Sequence, residues 1–147
     1  MANLNQPAQL EEGAELQLDF AKLLAIAGGG VEIIPAVLQD RDTHMVLMVA
    51  YMDREALDLS LSEGRVVLWS TTRQERWRKG ESSGDELALH EVRVNCEQNS
   101  LLCIVSKRNG GVCHTLGTNR RTRPSCFYRR VGSTGQLVPL ATVTELD

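Results

Sequence analysis

The run Met45-Val-Leu-Met-Val-Ala-Tyr-Met-Asp-Arg-Glu-Ala-Leu-Asp-Leu-Ser-Leu-Ser-Glu-Gly64 holds a strand, a helix and the signals that separate them. Met45–Tyr51 is nearly all apolar, which predicts a strand buried on both faces. Asp53 can accept a hydrogen bond from the first free N–H groups of a helix, and Glu55 adds negative charge to its first turn. That helix should run through Ser62, where Gly64 supplies a left-handed stop.

Working outward, Val31–Leu38 reads as a strand bent at Pro35, joined to the first by a polar turn over 39–43. Val66–Ser70 reads as a returning strand. Gln74–Asp85, rich in charge and glycine, predicts a long loop of the kind that carries function. Leu87–Val94 alternates as a strand, and Leu101–Val105 is an apolar strand carrying Cys103. Gly110–Ser125 is mostly irregular, and Phe127–Val131 with Leu137–Val143 could close the sheet. Upstream, Leu10–Ala27 is a helix-permissive run stopped by Gly28-Gly29-Gly30. The expected organisation is an N-terminal extension with a helix over 1–30 and one compact, mostly antiparallel α+β domain with one or two helices over 31–147.

The formal net charge of −3 over 147 residues gives no overall attraction for nucleic acid. No segment has 18 consecutive apolar residues, so no membrane span is expected. The first residues lack the basic start and apolar run of a signal peptide. The four cysteines are then expected to stay reduced in the cytoplasm, in metal or core roles. Charge is unevenly spread: Glu11, Glu12, Glu15 and Asp19 make the front acidic. Lys107, Arg108, Arg120, Arg121, Arg123, Arg129 and Arg130 make the region of the last two cysteines basic.

Cys96, Cys113 and Cys126 could together bind Zn²⁺ and leave its fourth position open for water. His114 follows the second cysteine and is the candidate base for that water, with Glu81 a second possibility. The spacings, by themselves, also allow each cysteine to be a small buried hydrophobe. Cys103, between Leu102 and Ile104, is read that way. Arg73, Lys79, Ser82, Ser83 and the glycines of Lys79-Gly-Glu-Ser-Ser-Gly84 have the parts of an anion site, as do Arg120 and Arg121. Trp69 and Trp77 could stack on a base or simply pack in the core.

Several motifs stand in register. Asp40, Thr43, Val46-Leu47-Met48 and Ala50-Tyr51-Met52 are followed by Gly64–Ser70, Trp77–Gly84, Cys113-His-Thr115 and Ser125-Cys-Phe-Tyr-Arg129. In that order they resemble the phosphoribosyl-AMP cyclohydrolase family of histidine biosynthesis, from about Ile33 to Arg130. The resemblance implies hydrolysis of the adenine N1–C6 bond of N1-(5-phosphoribosyl)-AMP by a zinc-activated water. It implies Cys96, Cys113 and Cys126 as zinc ligands, and an interlocked homodimer whose zinc ligands come from both subunits. The implied substrate is a phosphorylated purine-like small molecule, whose phosphates and base the anion-site and stacking candidates Arg73, Trp77, Lys79, Ser82 and Ser83 are suited to contact.

The chain also departs from the pattern. The family's Mg²⁺-binding aspartates around the first zinc cysteine are here Asn95, Glu97 and Asn99. Mg²⁺ is a hard cation that needs anionic oxygen ligands, so no tight Mg²⁺ site is expected. The family's Trp-Ser-Arg-Ser-Arg is here Trp69-Ser70-Thr71-Thr72-Arg73, so one expected arginine is missing, and Leu87 stands where the family has Gln. The segment between the last two cysteines is lengthened and carries Arg120, Arg121 and Arg123. Kept zinc ligands beside changed neighbours leave an alternative, a paralogue opening or deaminating another nitrogen heterocycle without Mg²⁺. A third reading is a non-catalytic zinc-stabilised dimeric binding module.

Overall fold

The computed structural model describes residues 6–140. Its helices are α1 (Gln6–Glu12), α2 (Lys22–Gly28) and α3 (Arg54–Glu63). Its strands are β1 (Ile34–Asp40), β2 (Val46–Met52), β3 (Val67–Ser70), β4 (Glu75–Arg78), β5 (Leu87–Val94), β6 (Leu101–Lys107), β7 (Arg129–Val131) and β8 (Leu137–Pro139). Six strands make one sheet in the order β4-β3-β2-β1-β6-β5, antiparallel except for the β1–β6 pair. The sheet curls until the start of β5 meets the start of β3. Val66 N–H donates to Leu87 O (3.0 Å) and Leu89 N–H to Gly64 O (2.9 Å). The α+β expectation therefore holds, with more strands than the sequence suggested.

β1 lies at the centre of the sheet and contains a proline. The β6 register begins one residue later, at Ala36 opposite Leu101, so the N–H that Pro35 lacks interrupts no β1–β6 pairing. α3 starts and ends as its caps dictate. Asp53 Oδ1 accepts from Ala56 N (2.9 Å), and Gly64 has φ +69° with its N–H on Ser60 O. α3 buries Ala56 and Ser60. The Ser60 hydroxyl donates toward Ala56 O (2.7 Å) and accepts from Val67 N (2.9 Å), so the buried oxygen is satisfied while it ties helix to strand. Leu38, Leu47, Met52, Leu68, Leu87, Cys103 and Val105 form the centre of the core.

Four expectations are corrected. β2 is not buried on both faces: Val46 is 41% and Val49 47% exposed. The period-2 alternation breaks because Met48 pairs Leu38 while Val46 pairs Gln39, leaving Leu47 as an extra, bulged residue. The segment 74–85 is not all loop, because Glu75–Arg78 pairs with β3 as a hairpin. The C-terminal strands form a separate two-stranded sheet rather than closing the main one, and 141–143 fall outside the described residues. The N-terminal run is two short helices rather than one. α1 ends at Gly13, where a Cβ would sit 2.3 Å from Gln9 O. Among the described residues, no helix is long and apolar enough to cross a membrane.

Candidate active-site cleft

The β2 bulge positions the site. A bulged residue is released from the ladder, and Leu47 O accepts instead from Cys126 N (2.8 Å). The Ser125 hydroxyl donates to Val46 O (2.9 Å) and accepts from Phe127 N (3.0 Å). Cys126 is thus hung from the sheet by its own N–H and by the hydroxyl of the preceding Ser125.

Cys113 arrives from the other direction. After β6 the chain doubles back, and Arg123 O accepts from both Val112 N and Cys113 N (2.9 Å each) while Arg123 N donates to Thr115 O (3.0 Å). Gly111 allows this approach, since a Cβ there would lie 1.9 Å from Thr122 Oγ1. The Thr122 hydroxyl donates to Asp85 Oδ2 (2.7 Å), tying this segment to the 79–86 loop. That loop turns at Gly80 (φ +84°) and Gly84 (φ +82°), with Gly84 N on Gly80 O (2.8 Å) and Asn109 Nδ2 on Gly84 O (2.6 Å).

Between these segments lies an open cleft of about 320 Å³. Cys113, His114 and Cys126 line one side of it. Lys79, Glu81, Ser82 and Ser83 line the loop side, with Arg73 and Trp77 beside them. The Arg73 guanidinium lies 5.8 Å from the Trp77 ring centroid. The structure therefore gathers most of the residues singled out in the sequence.

The two thiols influence one another's ionisation, which falls first on Cys113. Cys113 is lowered, chiefly by the neighbouring Cys126 thiol, with burial opposing and Thr115, whose Oγ1 lies 3.0 Å away, assisting. Cys126 is raised, chiefly by Cys113 and then by burial. Lys79 is buried, with Nζ donating to Asp85 O (3.3 Å). Burial lowers its pKa, while Asp85 and the two thiols favour its cation. A thiol pair with one readily formed thiolate and a neighbouring ammonium suits a soft divalent metal. Cys103 differs: it is fully buried in β6, and burial raises it to about 11, in keeping with a packing role.

Other residues lie elsewhere. Cys96 is exposed on the β5–β6 turn, closed by Asn95 N on Ser100 O (3.2 Å). Cys126 is level with Leu47, beside the Met48–Leu38–Cys103 row, whereas Cys96 precedes β6, whose first residue pairs Ala36. At about 3.3 Å per residue along a strand and nearly 5 Å between strands, the offset exceeds any shared coordination sphere. Among the described residues of one chain, no three His, Cys, Asp or Glu side chains are grouped to hold a metal ion. Arg120 and Arg121 are exposed and do not line the cleft.

Asn95, Glu97 and Asn99 bond to one another. Asn95 Oδ1 accepts from the N–H groups of Asn99 and Ser100 (2.9 Å each), Asn95 Nδ2 donates to Asn99 Oδ1 (2.6 Å), and Asn99 Nδ2 donates to Glu97 Oε2 (3.2 Å). With one carboxylate among three side chains, and their oxygens engaged in closing the turn, this set does not fit Mg²⁺.

The sequence reading missed contacts from the N-terminal segment. His114 Nε2 meets Glu11 Oε1 at 2.7 Å. Arg123, only 7% exposed, makes a two-pronged bond to Glu12 (2.8 and 2.9 Å) and lies 4.1 Å from the Tyr128 ring centroid. The Tyr128 hydroxyl donates to Glu11 O (2.7 Å), and Arg129 to the carbonyls of Gly13 and Leu10 (3.0 Å each). The signal was the complementarity of an acidic front to a basic stretch near the last cysteines.

Comparison with known proteins identifies the family. The family model for phosphoribosyl-AMP cyclohydrolase matches residues 48–128, from β2 to just past Cys126. The chain is 43% identical over 111 residues to the phosphoribosyl-AMP cyclohydrolase of Bordetella parapertussis, covering 76% of this chain and 78% of that one. It is 46% identical over 97 residues to the protein of the same name from Pseudomonas syringae pv. tomato, covering 66% of this chain and 70% of the relative. These relatives make the chain a hydrolase acting on carbon–nitrogen bonds. The chain belongs to the phosphoribosyl-AMP cyclohydrolase family.

Proposed function

We propose that this protein opens the adenine ring of N1-(5-phosphoribosyl)-AMP, adding water across N1–C6, in histidine biosynthesis, and that it does so as a zinc-dependent homodimer. The observation that carries the zinc reading is the thiol pair Cys113–Cys126, both of which line the same cleft as His114 and Lys79. Two thiols are one short of a catalytic set, and Cys96 of the same chain is out of reach. Cys96 of a second copy completes the set, which makes the active site a property of the dimer.

A zinc ion there supplies a Lewis acid and a water of lowered pKa. The rest falls to the chain. The N1 ribosyl group leaves the adenine ring cationic, so C6 is electrophilic before anything binds it. His114 takes the proton of the attacking water and returns it as the N1–C6 bond breaks. Glu81, which also lines the cleft, is the alternative acid–base group. Lys79, buried beside the thiols, offsets their negative charge. Ser82, Ser83 and the loop amides, with Arg73, take phosphate, and Trp77 stacks on the base. Mg²⁺ has no part, because Asn95, Glu97 and Asn99 already satisfy one another.

The deciding measurement is turnover of phosphoribosyl-AMP by the zinc-loaded protein, with and without Mg²⁺, beside its oligomeric state. A dimer that turns over equally under both conditions is expected. A folded, zinc-bound dimer without turnover would point to another substrate, and a four-cysteine zinc site including Cys103 would point away from catalysis.

A further inference from the structure

We propose that Glu11 is a positioning residue for His114. Its carboxylate holds the imidazole at the cleft in one orientation and one tautomer, with the proton on Nε2 and Nδ1 left as the acceptor. The inference rests on His114 acting as the acid–base group of the proposed reaction.

The His114 side chain is 80% exposed, so packing does not fix its ring. Among the described residues, the contact that orients it is the 2.7 Å bond to Glu11. A carboxylate accepts only, so Nε2 carries the proton in that bond. An exposed pair of this kind contributes little to stability, so folding gains little from it. The placement of Glu11, by contrast, is heavily determined. Its own carbonyl is held by Tyr128, the carbonyls of Leu10 and Gly13 by Arg129, and the next side chain, Glu12, by Arg123. Arg123, Tyr128 and Arg129 all lie within three residues of Cys126. One strap therefore fixes the imidazole relative to the Cys126 segment. The strap lies outside the residues that match the family model, which begin at Met48. A carboxylate behind a working imidazole fixes its ring and tautomer, and loss of such a partner costs roughly 10–100-fold where it has been tested beside metals.

The test compares Glu11→Ala, Glu11→Gln and Glu12→Ala in the full zinc-loaded chain. Glu11→Ala should lower kcat about 10–100-fold with KM unchanged. Glu11→Gln should keep most of the activity, because its amide oxygen still accepts from Nε2–H. Glu12→Ala breaks a neighbouring tie of the strap without touching His114, and because Tyr128 and Arg129 still hold the Glu11 backbone it should lower the melting temperature and lower kcat less than Glu11→Ala does. Unaltered kcat in Glu11→Ala, or equal losses in Glu11→Ala and Glu12→Ala that follow melting temperature, would overturn the proposal. A second readout needs no turnover. Nitrogen-15 NMR of the imidazoles, with His114 assigned by His114→Ala, should show the Nε2–H tautomer in the parent protein and a mixture in Glu11→Ala. A mixture in the parent would sink the proposal even if the enzyme is active. A single tautomer lost in Glu11→Ala would support it even if phosphoribosyl-AMP is not the substrate.

Discussion

The backbone N–H of Cys126 donates to the carbonyl of Leu47, the residue that β1 leaves without a partner. A one-residue irregularity in the sheet thereby becomes the anchor of a cleft thiol. Ser125 makes the same attachment through its side chain, buried and bonded to Val46 O and Phe127 N. Ser125→Ala leaves both backbone groups short of a partner inside the protein. It should cost about 1–3 kcal/mol in chemical denaturation and lower zinc affinity along with it. Lost stability with unchanged zinc affinity would show that the Leu47 contact alone places Cys126.

Gly80 should be intolerant of any side chain. A Cβ there would lie 2.2 Å from Glu86 N and 2.3 Å from Asp85 C, which are backbone atoms that cannot swing aside, and φ is +84°. Gly80→Ala should move the loop carrying Ser82 and Ser83 and raise KM at least tenfold. Gly135, with a similar φ of +86° but open space around it, is the control. Gly135→Ala should cost about 1 kcal/mol of stability and leave KM alone.

Cys113→Ser and Cys103→Ala separate the two uses of cysteine. Cys113→Ser replaces a readily formed thiolate with a hydroxyl and should abolish bound zinc and turnover together, in a protein that still folds. Cys103→Ala removes a thiol packed in the core and should cost about 1–2 kcal/mol while bound zinc stays the same. Metal analysis of the purified variants checks both. Zinc lost from Cys103→Ala would make the site a closed four-thiolate one.

What the sequence made legible follows from what acts locally. Asp53 and Gly64 bound α3 as expected because a cap is a contact between residues three or four apart. Cys103 was legible as core because its neighbours in the strand are apolar. The two-sided burial of β2 was a misreading, since nothing in an apolar run marks Leu47 as the bulged residue. β4 was hidden because its Glu-Arg-Trp-Arg composition looks like loop, and its strand character comes from pairing with β3. Most of the cleft was foreseen from motifs, but Glu11 was not. Its partner His114 is 103 residues away, and only the opposite charges of the two regions hinted at the contact.

The strap should also be sensitive to acid. Glu12 is held below its ordinary value of 4.5, chiefly by the hydrogen bonds from Arg123, with burial opposing. A carboxyl whose folded pKa is depressed contributes stability that is fully present above the unfolded value. That stability is lost as pH falls through about 4.5 and past the folded value. Glu12→Gln removes this dependence, and Asp40, Glu63 and Glu91, also depressed, are common to both proteins and cancel in the comparison. Between pH 6 and pH 3.5, the urea midpoint of the parent should fall more steeply than that of Glu12→Gln. Because the Glu12 side chain is half exposed, about 1 M salt should shrink the difference. Parallel curves would mean that the Arg123 contact contributes nothing to holding the strap, and that Tyr128 and Arg129 hold it alone.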